Sequence, residues 1–447
     1  MSKVLKIVVL AIAVLLLVLI GVAGYVAATF DPNAYKPQII QAVKDKTQRT
    51  LKLEGDIKLS FWPGIGGKVG KASLSERGSD KPFASVDEVH VAVKLVPLLS
   101  KQVIVDAVEV KGLRANLVRA KDGKMNFEDM TGAPPAAAKP EKASAAGPVA
   151  FDIARVVVED SAISYLDQQG GTDMALSEVN LKTGRIANGV PSTVDLSLKA
   201  RAAKPKLDLA LKGRGGFMFD LEKQHYAMDD MKLEAKGEAA GISKLDASLS
   251  GSASARIKTG EVAAEKLALA LTGVQDGNNL ELKADAPRLA LTADKATGEK
   301  VTVSAKVSGP ARTVSVQAVL PGIEGTAQAF NTGPVTLDLD LTQGELVVKA
   351  KAISPVSGNL QTKQVSLSKL ALNLAASGPN LPGKSISGEL QGSAAVDGAK
   401  ESVQAHLAGK VGESTIKSKL AVNGFATPAY GFDVDIDQLD LDSATLR

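Results

Sequence analysis

Cysteine is absent from all 447 residues. Its absence excludes disulfides, thiolate metal sites and a cysteine nucleophile together, and it suits an oxidising compartment in which a stray thiol is a liability. Aromatic residues make up 4% of the chain and the net charge is +4. No cluster of Lys and Arg interleaves with rings, so no nucleic-acid surface is expected. His90, His225 and His406 are the only histidines, and none has a partner at metal-site spacing. A G-x-S-x-G elbow is also missing. The chain is therefore expected to be no enzyme, to need no cofactor and to hold no metal.

Charge is missing altogether from Ile7 to Phe30. At about 1.5 Å per helical residue such a run exceeds the roughly 30 Å hydrocarbon core of a bilayer. It is also longer than the apolar region of a cleaved signal peptide. Residues 1–30 are expected to form a single transmembrane anchor. Lys3 and Lys6 precede the run and Asp31 follows it, which keeps the N-terminus in the cytoplasm and exports the bulk of the chain. In a bacterium that means the inner membrane and the periplasm. Residues 31–50 read as a short amphipathic helix with Tyr35, Ile39, Ile40 and Val43 on one face. That face either docks on the following sheet or lies at the bilayer surface.

What the chain has in abundance is alternation. In VTLDLDLTQGELVVKA (335–350), Leu337, Leu339 and Leu341 fall on one side of a strand and Asp338 and Asp340 on the other. The same period-two pattern recurs in LDLALKG (Leu207, Leu209, Leu211), in LALALTG (Leu267, Leu269, Leu271) and in many other stretches beyond residue 150. Gly, Asn, Asp and Pro punctuate them as turns. Shorter strands are expected between 51 and 131. Residues 133–148, APPAAAKPEKASAAGP, lack apolar periodicity and read as a solvated linker. The expected organisation is an anchor (1–30), a helix-plus-β domain (31–132), the linker (133–148) and a long β array (149–447). Two architectures satisfy the pattern. Two sheets could cover each other's apolar faces in a sandwich. Alternatively, one long, curled, antiparallel-rich sheet leaves an open hydrophobic groove lined by the nine leucines just named, and an apolar surface of that kind marks an apolar ligand, a membrane or a partner. The second is the fold class adopted: mainly β, after a transmembrane helix and a short amphipathic helix.

Two motif matches fail on chemistry. GPNLPGKS (378–385) fits the spacing of a phosphate loop, but Pro379 and Pro382 lack the N–H donors it needs and the following residues alternate like a strand. DVDIDQLDLD (433–442) carries five carboxylates, but read as a calcium loop it places Gln438 at the glycine position and Ala444 at the terminal Glu.

Several short pieces of the N-terminal part together resemble the AsmA family of bacterial envelope proteins. They are Phe30-Asp31-Pro32, the Leu53-Glu54-Gly55-Asp56-Ile57 strand, Pro97-Leu98-Leu99, Asp122-Gly123-Lys124, and Asn126-Phe127. The resemblance implies a periplasmic protein held in the inner membrane, with a chorein-type start and a sheet that curls into an open groove. It also implies a role in moving phospholipid toward the outer membrane or in assembling outer-membrane proteins, with no catalytic residues to carry over.

Overall fold

The computed structural model describes residues 31–60, 65–94, 105–131, 152–292 and 294–438. The expected anchor and the 133–148 linker lie outside these residues. Among the described residues no helix is long and apolar enough to cross a membrane. The chain is mainly β with few helices, and it divides into two units, residues 1–208 and 209–447.

The first unit opens on a 3₁₀ turn, Pro32–Tyr35, whose N-cap Asp31 accepts a hydrogen bond from the Asn33 N–H at 2.9 Å. Helix α1 (Lys36–Thr47) follows, with Pro37 in its first turn, where a missing N–H is harmless. Lys44 and Lys46 sit in its last turn, favourably placed in the helix dipole, and Gln48 closes it in the left-handed region. The Asn33 side chain ties this entry to the sheet, because it accepts from the Ile57 N–H at 2.9 Å and donates to the Ile57 carbonyl at 3.2 Å.

The strands of this unit come in pairs that are single long strands interrupted once. They are β1 (Leu51–Leu53) and β2 (Ile57–Ser60), β3 (Ile65–Val69) and β4 (Ala72–Ser75), β5 (Pro82–Val86) and β6 (Glu88–Val93), and β7 (Val105–Lys111) and β8 (Arg114–Arg119). After a helical turn, α2 (Glu128–Thr131), come β9 (Asp152–Ile153), β10 (Val156–Asp167), β11 (Thr172–Thr183), β12 (Ile186–Ala187) and β13 (Ser192–Ala202). β10 runs parallel to both β7 and β8, with a bulge at Asp160 and Ser161 opposite the β7–β8 interruption. β9 also pairs parallel with β7, and among the described residues the other pairings within the unit are antiparallel. Strands from both sides of residues 133–148 thus share one sheet.

The interruptions align into a crease. At one of them Gly55 and Gly70 lie so close that a Cβ on Gly55 would stand 2.5 Å from the Gly70 Cα. Glycine at position 55 therefore answers to a close backbone approach. Bulges of this kind increase local twist and bend a sheet.

The second unit is an antiparallel succession: β14 (Leu207–Asp220, whose first two residues belong to the first unit), β15 (His225–Ala239), β16 (Ile242–Arg256), β17 (Glu261–Gln275), β18 (Asn278–Leu291), β19 (Ala296–Gly298), β20 (Val301–Ser308), β21 (Thr313–Leu320), β22 (Ile323–Gly325), β23 (Phe330–Gln343), β24 (Leu346–Asn359), β25 (Gln364–Ser377), β26 (Ser385–Asp397), β27 (Ser402–Val411), β28 (Ser414–Asn423) and β29 (Ala429–Ile436). β18 forks, with one end paired to β19 and the other to β20. A line of bulges creases this unit too, at 229–230, 251, 266, 332–333, 354–355 and 368–369. Gly251 sits there at φ +135°, where a side chain would be strained. Ser385 opens a strand rather than a helix after the GPNLPGKS turn, so that sequence forms no phosphate loop. Asp433 and Asp435 lie within β29, which ends at Ile436.

Sealed core is scarce. Among the described residues the buried apolar side chains are Phe83, Ala107, Ala187, Ala200, Leu245, Ala296 and Phe330. Four of these seven are alanines, too few and too small for the filled interior of a two-sheet sandwich.

Candidate functional site

Register decides what the alternating leucines form. Across the second unit, Leu249, Leu269, Ala284, Val303, Ala318, Leu337, Ala352, Leu372 and Leu390 stand opposite one another from strand to strand. Two residues along each strand a second row follows, with Ala247, Leu271, Leu282, Ala305, Val316, Leu339, Ala350 and Leu374. A third carries Leu280, Val307, Val314, Leu341, Val348 and Ala376. Directly paired residues share a face and so do residues two apart. These rows are therefore one apolar surface. The first of them, from β15 to β29, crosses thirteen strands, about 60 Å at the usual spacing of about 4.8 Å.

The opposite face is polar. Lys283, Ser304, Gln317, Asp338, Lys351, Asn373 and Glu389 succeed one another across the same strands. Asp338 and Lys351 are 3.6 Å apart, an exposed pair that adds little stability but keeps this face wet. Beyond the crease the apolar surface continues. β27 alternates without interruption through Val403, Ala405, Leu407, Gly409 and Val411, and it carries further rows that include Val356, Leu367, Ala394 and Leu420. The bulges keep one face apolar while the sequence changes phase, as in β23, where Phe330 and Val335 differ in parity.

Leu267, Leu269, Leu271, Leu339 and Leu341 are half-buried and Leu337 is 43% exposed. Leu207, Leu209 and Leu211 in β14 are likewise half-buried and alternate with exposed Asp208, Ala210 and Lys212. Neighbours within a sheet give partial burial of this degree, and an opposing packed layer would give more. The helix residues separate. Ile40 and Val43 are half-buried, whereas Tyr35 is 46% and Ile39 40% exposed.

Arg49 and Asp129 were not visible from the sequence. Arg49 is fully buried. Its guanidinium donates to both Asp129 oxygens at 2.8 and 2.7 Å, to the Ser75 carbonyl at 3.0 Å and to the Asn126 carbonyl at 2.6 Å, and it lies 4.6 Å from the Phe83 ring centre. These bonds hold the Asp129 carboxyl below its ordinary range, against the opposing effect of burial. Asn126 extends the network: its side chain accepts from the Val118 N–H at 3.0 Å and donates to Glu76 Oε1 at 2.6 Å. Asn126 thus joins the Arg49–Asp129 network, while Asp31 and Asn33 tie the entry turn to the sheet. A conspicuous pairing of an isolated Arg with an acid eighty residues later has no local signal.

In the first unit His90 Nδ1 lies 3.1 Å from Glu109, whose pKa is lowered first by that hydrogen bond and further by Arg155. Among the described residues no group of three or more His, Asp or Glu is placed to hold a metal.

These features define a class: a β protein whose second unit displays, among the described residues, one apolar face and one polar face with few fully buried side chains. The AsmA family model matches residues 1–446, and the chain belongs to that family. It is similar to Protein AsmA of Escherichia coli (strain K12), with 28% identity over 152 residues, which is 34% of this chain and 24% of that protein. The match spans about a quarter of that relative's length. No solved structure matches. Family membership suggests a part in building the cell envelope and its outer membrane.

Proposed function

We propose that the protein is anchored in the inner membrane, with its bulk in the periplasm, and carries the acyl chains of phospholipid along the apolar face toward the outer membrane. The observation that carries this reading is the set of apolar rows crossing the second unit with their side chains only half-buried. Each methylene moved from water onto such a surface is favourable by about 0.8 kcal/mol, so a chain leaving a bilayer for the rows exchanges one apolar environment for another at little net cost. The nine leucines from Leu207 to Leu341 are assigned to that surface, and Tyr35, at the N-cap of α1, and Ile39 to the membrane-proximal side.

The test is transfer of a fluorescent phospholipid between donor and acceptor vesicles by the reconstituted full chain. Leu269→Asp and Leu339→Asp place a charge in two adjacent rows and should abolish transfer while strand content stays unchanged. Undiminished transfer by the double variant would refute the assignment.

A second reading, a scaffold for outer-membrane β proteins, is favoured by β29. Among the described residues this strand pairs only with β28, and Tyr430 and Phe432 are 73% and 79% exposed. An unpaired edge can accept a further strand. Photo-crosslinkers at residues 430 and 432 distinguish the readings, because capture of a β-barrel protein rather than lipid supports the scaffold.

A further inference from the structure

The turns of the second unit fall at two opposite ends of its strands, and the two sets differ in chemistry. One set comprises 240–241, 276–277, 309–312, 344–345, 378–384 and 412–413. Among its described residues no large aliphatic or aromatic side chain is exposed, and its charges are Arg312 and Lys384 against Asp276, Glu345 and Glu413. The other set comprises 221–224, 257–260, 292 with 294–295, 326–329, 360–363, 398–401 and 424–428. There Leu221 is 54%, Ile257 63%, Leu360 51% and Phe425 49% exposed. Five lysines, Lys223, Lys258, Lys295, Lys363 and Lys400, stand among them with Glu222, Asp294 and Glu401. Lys223 and Lys400 pair with Asp220 and Asp397 at the adjoining strand ends, 3.0 and 3.5 Å away, and Lys258 donates to the Glu222 carbonyl, so that Lys258, Lys295 and Lys363 lie outside those ion pairs. Tyr226 and Tyr430, 42% and 73% exposed, lie beside the same turns.

Bulky apolar tips interspersed with lysines along one edge, and missing from the edge opposite, have a physical explanation in a bilayer surface. Aliphatic tips enter the boundary between headgroups and acyl chains. Lysines keep their ammonium groups at the level of the phosphates, and tyrosines suit the same depth. A partner protein recognised through hydrophobic contact alone would leave Lys258, Lys295 and Lys363, which lie outside those ion pairs, unexplained.

We infer that this end of the second unit is a membrane-contact edge that docks on a bilayer containing anionic lipid. Leu221, Ile257, Leu360 and Phe425 insert, and Lys258, Lys295 and Lys363 meet lipid phosphate. The inference goes beyond the lipid-carrying reading, since docking requires no lipid to leave the bilayer.

The absence of cysteine makes the test direct. The full chain carrying Ile257→Cys or Leu360→Cys, and separately Asp276→Cys or Glu345→Cys, is labelled with an environment-sensitive fluorophore. It is then reconstituted in vesicles of phosphatidylethanolamine and phosphatidylglycerol. A quencher attached to the lipid acyl chains should reduce emission about two-fold or more at 257 and 360 and leave 276 and 345 unchanged. Adding K258E, K295E and K363E together should remove most of the quenching at 360. Equal quenching at both ends, or quenching at 360 unaffected by the three glutamates, would overturn the inference. So would blue-shifted emission without quenching, the result of burial against another protein. Loss of quenching with lipid transfer intact would sink the edge and spare the carrier, and the converse would do the reverse.

Discussion

Removing Arg49 should destabilise the first unit locally and severely. The guanidinium has no solvent exposure and the Asp129 side chain retains 12%. Arg49→Ala therefore strands a largely dehydrated carboxylate and withdraws donors from the carbonyls of Ser75 and Asn126. Breaking a buried pair by deleting one partner costs about 3–5 kcal/mol, which at about 1.4 kcal/mol per factor of ten corresponds to about two to three and a half orders of magnitude in local opening. Hydrogen exchange on the full chain reads this directly. Peptides covering β1, β4, β5 and β8 should lose protection by that factor, while peptides of the second unit stay unchanged. Replacing both partners, Arg49→Met with Asp129→Leu, should recover most of the loss, since an apolar pair of similar volume can substitute for a buried ion pair. The pH dependence follows from the lowered Asp129 pKa. Its contribution is fully present above the ordinary Asp value of about 3.9 and is lost as pH falls through the lowered one. The wild type should therefore lose protection in strong acid by a step that Arg49→Ala lacks. A less than ten-fold change in exchange on removing Arg49, or an equal change in both units, would refute the reasoning.

Three further outcomes are expected. Gly251→Val places a Cβ within 2.9 Å of the Lys266 and Glu265 carbonyl oxygens at a positive φ, so β16 and β17 should open more readily by about 1–3 kcal/mol in hydrogen exchange. Leu339→Asp alone, on a face that keeps contact with solvent, should destabilise by only about 1 kcal/mol and leave the circular dichroism spectrum intact. In α1, Ile40→Asp should loosen the helix from the sheet and raise its amide exchange, whereas Ile39→Asp should stay within about 0.5 kcal/mol of wild type.

The strands were legible because alternation is local, and so was the absence of a phosphate loop at 378–385, where Ser385 begins a strand. The leucines could be placed on one side of each strand, but rows such as Leu249, Leu269, Ala284 and Leu337 depend on register, which is fixed by turns and bulges far apart in sequence. Alanines and glycines within the rows carry no hydrophobic signal of their own. Of the four helix residues read as one face, Ile40 and Val43 are half-buried and Tyr35 and Ile39 exposed, a division that the period alone does not show. Arg49 and Asp129 remained hidden because each looks like an ordinary surface charge until the chain brings them together.

The central claim is that acyl chains ride on the apolar rows, and the most direct measurement uses a phospholipid with a photoactivatable diazirine in its acyl chain. After illumination of the reconstituted full chain, adducts are mapped to single residues by mass spectrometry. The account predicts adducts at Leu269, Leu337 and Leu339 and none at Lys283, Asp338 or Lys351 on the other face. Adducts spread equally over both faces, or found nowhere in the second unit, would contradict it.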